Sequence, residues 1–376
     1  MDTRVRRHAE VLVDQCADVR RGDMVTIRAS RQAEALVVAL YEALGQRGAR
    51  PSLSWSLPRA TRAYARAMDE ADYTTKDHEL AAMEETDVVF LIGGGPNAFE
   101  TSDVPPEMSQ AGSRAHKPIS EQRLDTRWVI TTHPTAAGAQ RAGMSTATYE
   151  EFVYDAVNKD WAAQSEFQSQ LVEILDPAET VHIVSGDTTD ITMRVDGMRA
   201  CNDDGDHNMP AGEVFTAPVP DSVAGEVFTA PVPDSVAGEV YFDKPLMRQG
   251  NEIRGAALTF EDGDVVSFSA EQNEDVLAGI LNTDAGARRL GELGIGMNRG
   301  IDRFTYNMLF DEKMGDTVHL AVGAAIDECV PEDCEFNDSA VHTDMIVDMS
   351  EDSFIEIDGE IVQRNGTFVF EDGFEA

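Results

Sequence analysis

The sequence predicts an α/β N-terminal domain with a mostly parallel sheet, followed by a β-rich (α+β) C-terminal domain that carries a metal site. Two patterns predict the division. Before Pro177, continuous apolar runs alternate with stretches of helical periodicity, as in parallel sheets covered on both faces. After Pro177, short alternating segments are separated by Asp-Gly and Asn-Gly pairs, which mark antiparallel hairpins. The domains are therefore expected at residues 1–177 and 178–376.

In the first half, Val5, Ala9, Leu12, Val13 and Cys16 recur at helical spacing, and Met24 to Ile27 reads as a buried strand. Ser30 is placed to cap a helix with the apolar face Ala33, Leu36, Val37, Leu40 and Leu44, and Gly45 to end it. Val88 to Ile92 is a further strand that opens into Gly93-Gly94-Gly95-Pro96, and Trp128-Val129-Ile130 repeats the signal. Ser145 to Asp176 reads as one or two long helices. In the second half, Asp262-Gly263, Asp358-Gly359 and Asn365-Gly366 predict hairpins, with a short helix near Glu274 to Leu281.

Composition restricts the setting. The chain has 69 acidic and 30 basic residues in 376, a formal net charge of −39. Such a surface repels itself in dilute buffer and is relieved by concentrated salt. Only Lys76, Lys117, Lys159, Lys244 and Lys313 are lysines. With 42% hydrophobic residues and clear periodicity the chain folds. A halophilic cytoplasmic protein is the expectation. Glu10, Asp14 and Asp18 interrupt what would be the apolar part of a signal peptide, and no apolar run approaches the ~20 residues of a membrane span. Nucleic acids and anionic membranes are disfavoured as partners by the charge. The four cysteines, Cys16, Cys201, Cys329 and Cys334, make no disulfide framework; Cys329 and Cys334 are close enough in sequence to pair, but free thiols are expected.

The β-rich half contains a perfect repeat. Ala211 to Val223 reads AGEVFTAPVPDSV, and Ala224 to Val236 repeats it letter for letter. An isolated exact copy is a tandem duplication rather than a solenoid, which needs three or more units. It duplicates one acidic position as Glu213 and Glu226. Glu213 keeps the upstream flank Asn208-Met209-Pro210, and Glu226 keeps the distance to Tyr241-Phe242-Asp243. The choice favours Glu213 narrowly.

That acidic position belongs to a larger set: Glu213 or Glu226, Glu292, Glu312, His319, His342 and Asp344. Carboxylates and imidazoles without cysteine suit a pair of divalent ions such as Zn, Co or Mn. His342 and Asp344, two apart, would share one face of a strand. Taken singly, each has a plainer explanation. His319 beside Leu320-Ala321-Val322 could be a core histidine, and any one glutamate is unremarkable among so many acids. Metal-assisted hydrolysis is the chemistry the combination suits.

The words around these residues carry a resemblance. NMPAGEVFTAP, the Gly291-Glu292 pair, YNMLFDE from Tyr306, HLAVG from His319 and SAVHTD from Ser339 resemble the M29 family of metallo-aminopeptidases, the thermophilic aminopeptidase T type. The likeness extends through THPTAAGAQRAGMS from Thr132 and TDITMRVDG from Thr189. It implies a cytosolic homodimer that releases N-terminal residues from peptides with a free N-terminus, using two cocatalytic metals. Position by position, it assigns metal binding to Glu213 or Glu226, Glu292, Glu312, His319, His342 and Asp344. Glu292 is the carboxylate expected to accept the water proton and return it to the leaving amine. Where family members usually show a tyrosine after the HLAVG segment, this chain has Ile326. Isoleucine donates no hydrogen bond to a tetrahedral intermediate, and Tyr306, Arg303 or a metal ion would have to substitute.

Two further readings follow. Ile326 and the duplication motivate a catalytically impaired relative that binds peptides or a partner. Gly93-Gly94-Gly95 suggests a nucleotide loop, but it lacks the GxGxxG spacing and a P-loop lysine, so a tight turn explains it. Asp203-Asp204-Gly205-Asp206 lacks the calcium-loop spacing and reads as a polar turn.

Overall fold

The computed structural model describes every residue except 98, 220–234, 249, 250, 332, 333, 335 and 376, together with the side chain of Pro106. The chain divides into two compact units, Met1–Trp161 with Gly205–Ala211, and Ala162–Asp204 with Gly212–Ala376. Among the described residues no helix is long and apolar enough to cross a membrane.

The first unit is built on a parallel sheet. Strands β1 (Met24–Ser30), β2 (Arg50–Ser56), β3 (Val88–Gly93) and β4 (Arg127–Thr132) lie in the order β2-β1-β3-β4, and the two-residue strand Asn208–Met209 adds to β4. Every pairing is parallel. The apolar runs read from the sequence are its centre: Val25, Ile27, Val88, Phe90 and Val129 are buried against Leu12, Leu36, Leu40 and Leu44. Ser30 accepts a hydrogen bond from the Gln32 N–H at the entry to the helix Glu34–Arg47. That helix passes through Gly45 and stops at Gly48, whose φ of 73° supplies the left-handed terminus. Its apolar face carries it over the weak glycine position, which costs only about 1 kcal/mol. The triple glycine after β3 is a close crossing of two loops. A Cβ on Gly94 would strike the carbonyl oxygen of His133.

A polar pair, Thr131 and His8, lies deep in this core. Thr131 donates its hydroxyl to the Met209 carbonyl at 2.7 Å, so it accepts from His8 Nε2, 2.9 Å away. His8 is fully buried, and burial followed by the nearby His133 lowers its pKa from 6.5 to about 3.

The second unit is antiparallel. In chain order its strands are β5 (Thr180–Ser185), β6 (Thr189–Arg194), β7 (Cys201–Asp203), then, after β8 (the Asn208–Met209 strand of the first unit), β9 (Glu213–Thr216) and β10 (Val236–Phe242). They continue as β11 (Leu246–Arg248), β12 (Asn251–Ile253), β13 (Ala256–Glu261), β14 (Asp264–Ser269), β15 (Leu290–Gly296) and β16 (Thr317–Gly323). The last are β17 (His342–Asp348), β18 (Ser353–Ile357), β19 (Glu360–Arg364) and β20 (Thr367–Phe368). One sheet has the order β14-β13-β10-β6-β5-β18-β19-β20, a second β17-β16-β15-β9-β7, and β11 pairs with β12. The three expected turns are present, with positive φ at Asp262, Asp358, Asn365 and the glycine after each. The short helix Glu274–Leu281 also forms. Val181, Ile183, Val240, Leu258, Leu293, Leu320 and Val347 are among the residues of the core.

Below pH 6.5 the unfolded chain protonates His8 while the folded chain does not, so this group's contribution to stability falls as pH drops from 6.5 towards 3. A His8→Gln variant, which keeps a donor for Thr131, is expected to lose less stability than wild type across that window. Unfolding curves of the two proteins at pH 7 and pH 4.5 check this.

Candidate metal centre

The second sheet places its polar side chains by register. Glu292 on β15 lies opposite Ala321 on β16, which lies opposite Asp344 on β17. One row along, Gly294 pairs with His319, and Gly296 pairs with Glu213 on β9. Because residues two apart share a face, Glu213, Glu292, His319, His342 and Asp344 all project to the same side. Every residue of β15 and β16 is buried, so these charges sit over the middle of a protein sheet. Gly294 makes the arrangement possible, because a Cβ there would fall on the His319 ring. Glu312 enters from the end of the short helix Met308–Asp311, and its backbone carbonyl accepts from His319 Nδ1 at 3.0 Å.

The two imidazoles are oriented alike. His319 gives Nδ1 to the Glu312 carbonyl and His342 gives Nδ1 to the Ala324 carbonyl at 2.8 Å. Each therefore turns Nε2 towards carboxylates. His319 Nε2 is 3.3 Å from Glu292 Oε1 and 3.5 Å from Glu213 Oε2. His342 Nε2 is 3.0 Å from Glu292 Oε2 and 3.3 Å from Asp344 Oδ1. Glu292 thus stands between them with one oxygen facing each ring. Glu292, His342 and Asp344 bring one donor atom apiece within 4.8 Å of one another.

The inner end of the cluster contains a cation of its own. Lys313 is fully buried, and its Nζ lies 2.8 Å from Glu213 Oε1, 3.5 Å from Asp203 Oδ2, and in a short ion pair with Glu312 Oε1. Lys313 takes one oxygen of Glu213 and leaves Oε2 buried without a hydrogen-bond partner among the described residues. The outer end is open, with the His342 side chain 32% exposed.

The protonation states follow from crowding. Burial raises Glu213 and Glu312 to about 7, against the pull of Lys313. Burial would also raise Glu292, but hydrogen bonds from His319 and His342 bring it well below the usual carboxylate range. Burial opposes charge on both histidines, yet their carboxylate neighbours raise His319 to about 10 and His342 to about 12. Without metal, protons on Nε2 supply the positive charge these carboxylates need. A divalent ion fits the same donors. Nδ1 is tied to a carbonyl on both rings, Nε2 faces acidic oxygens, and Glu213 Oε2 is a buried acceptor that makes no hydrogen bond among the described residues, with His319 Nε2 3.5 Å away.

The structure brings together Glu213, Glu292, Glu312, His319, His342 and Asp344, while Glu226 lies outside the described residues. Ile326 precedes the short 3₁₀ turn Asp327–Cys329 and packs against Met198, Phe215 and Ala217. Tyr306 hydrogen-bonds Glu252, and Arg303 pairs with Asp302. Sequence reasoning missed Lys313 and Asp203. Lys313 could have been suspected as one of five lysines in an arginine-rich set of basic residues; Asp203 lay in a run that reads as a polar turn.

Residues 1–374 match the family described as thermophilic metalloprotease (M29). The chain is therefore a metal-dependent peptide hydrolase by class. It belongs to the M29 family. Among curated relatives it is 28% identical to Aminopeptidase 2 of Geobacillus stearothermophilus, with 97% of each chain covered. It is 29% identical to Aminopeptidase T of Thermus thermophilus over 72% of this chain and 71% of that one. The solved structure of wild-type AmpT from Thermus thermophilus superposes with a TM-score of 0.83 at 23% identity, covering 98% of this chain and 99% of that one. A 2,5-dihydroxypyridine dioxygenase from Pseudomonas putida shares the fold at a TM-score of 0.59 and 15% identity, over 98% and 97% of the two chains. One fold thus carries two chemistries, and function has to be argued from the site.

Two substitutions test the geometry. Lys313→Met removes the buried counterion of Glu213 and Glu312 and is expected to destabilise the protein by about 3–5 kcal/mol, read from denaturant unfolding. Gly294→Ala displaces the His319 ring and is expected to weaken metal binding by about 10-fold or more, read by equilibrium dialysis with Zn or Co.

Proposed function

We propose that this protein is a metallo-aminopeptidase with a dinuclear centre, in which Glu213, Glu292, Glu312, His319, His342 and Asp344 hold two divalent ions. The observation that carries this reading is the split of Glu292 between the two imidazoles, which divides the cluster into two halves. One half has Glu213, Glu312 and His319; the other has His342 and Asp344. The names of the relatives, aminopeptidases in each case reported above, support release of N-terminal residues as the activity.

When bound, such ions polarise a carbonyl and supply a nucleophilic water near neutral pH. The remaining steps fall to the chain. The Glu312 and Ala324 carbonyls fix the tautomer of His319 and His342, so that Nε2 of each is the ligating atom. Lys313 holds one oxygen of Glu213 and one of Glu312, which limits the oxygens each presents to the centre. Glu292 Oε2, on the side of the exposed His342, is the atom at which a water proton is taken up and from which it returns to the departing amine. The carboxylates attract a positively charged peptide terminus, consistent with a preference for a free N-terminus over an acylated one.

Release of the N-terminal residue from a short peptide, with its N-acetylated twin as control, tests the reading. The assay runs in about molar KCl to screen the acidic surface with added Zn or Co. Cleavage of the free peptide alone, abolished by chelator, is expected; failure of metal-loaded, folded protein to cleave either peptide overturns it in favour of a binding role for the same fold. Glu292→Gln is expected to lower kcat by about 10²–10⁴-fold. His342→Ala, Asp344→Ala and Glu213→Ala are expected to reduce bound metal, whereas Glu226→Ala leaves it unchanged.

A further inference from the structure

Three of the four cysteines meet in one apolar cluster beside the sheet. Cys201, Cys329 and Cys334 pack with Met198, Phe215, Ala217, Ala325, Ile326 and Val330. The closest pair is Cys201 and Cys329, with Sγ atoms 3.1 Å apart, while Cys334 Sγ lies 3.9 Å from the Gly197 carbonyl. The short sequence spacing of Cys329 and Cys334 is therefore not the spatial pairing. None of the four forms a disulfide in this structure.

We infer that Cys201 and Cys329 are a peroxide-responsive dithiol that closes reversibly into a disulfide. The backbone around them is docked. The Arg199 N–H donates to the Cys329 carbonyl at 2.8 Å, and Cys201 is held on β7 opposite Phe215 of β9. The two sulfurs have about 1 Å left to close, from 3.1 Å to the ~2.05 Å of a disulfide. The pair is also asymmetric. Cys201 is partly exposed and receives the Cys329 S–H, whereas Cys329 is buried. An accessible sulfur that accepts a hydrogen bond is the attacking thiol, and a buried neighbour is the resolving one. Receipt of that hydrogen bond lowers the Cys201 pKa, and donating it raises that of Cys329.

The reaction balances with a hydroperoxide as oxidant. The Cys201 thiolate attacks one peroxide oxygen; an S–O bond forms, the O–O bond breaks, and the departing oxyanion leaves as water or alcohol after taking a proton. Cys329 sulfur then attacks Cys201 sulfur. The S–S bond forms, the S–O bond breaks, and hydroxide leaves as water with the Cys329 proton. The two sulfurs together lose two electrons, which reduce the peroxide. A reducing cytosol reverses the bond by thiol exchange. The bridge ties β7 to the turn that follows β16, and so fixes the strand whose Asp203 lies 3.5 Å from Lys313 Nζ.

The test uses the full chain, reduced and then exposed to hydrogen peroxide, with alkylation under denaturing conditions and peptide mapping. Alkylatable thiols are expected to fall from four to two, with Cys201 linked to Cys329, and dithiothreitol to restore all four. A Cys16→Ser/Cys334→Ser double variant is expected to form the same link. Four alkylatable thiols after peroxide, oxidation of Cys201 to a sulfinic acid without a link, or a link through Cys334 would each overturn the inference.

Discussion

The site depends on one constraint: carboxylates buried side by side must be given positive charge. Glu213 and Glu292 are almost inaccessible, Glu312 and Asp344 only slightly less so, and Asp203 joins them from β7. Moving ionised groups out of water costs several kcal/mol each unless they are paired. Five carboxylates less the single charge of Lys313 leave four negative charges to be met, the charge that two divalent cations would balance. Positive charge on the imidazoles and raised pKa values at Glu213 and Glu312 answer the same need. The surrounding elements serve the same end: Gly294 makes room for a ring, two backbone carbonyls fix two tautomers, and Lys313 occupies the oxygens that face the core.

The contrast with the surface is instructive. A net charge of −39 is spread over solvent-exposed groups that salt can screen. The inner end of the cluster over β15 and β16 is screened far less, because its charges are buried. The outer charge is therefore open to screening by the medium, whereas the inner charge has to be met by groups placed against it.

Much of the fold could be read from the chain because the periodicities were unambiguous. Val88 to Ile92 could only be a buried strand, and Asp262-Gly263 could only be a turn. Gly45 misled as a helix end because the buried face from Leu36 to Leu44 holds the helix in place through Gly45, up to the left-handed terminus at Gly48. The ligand candidates were recognised through the words around them, since Glu213 or Glu312 alone carries no signal in so acidic a protein. Lys313 escaped because nothing local reveals that a lysine will be fully buried; its role exists only once β7, β9 and the Met308–Asp311 helix meet. The Cys201 to Cys329 approach was equally hidden, being a contact between segments 128 residues apart.

The charge argument is tested most directly by the metal content of the purified protein. Elemental analysis after exhaustive dialysis in high salt should find two divalent ions per chain, and stripping them with a chelator should lower the melting temperature. Protein that contains no metal, takes up none when it is supplied, and melts at the same temperature with and without chelator would contradict the account.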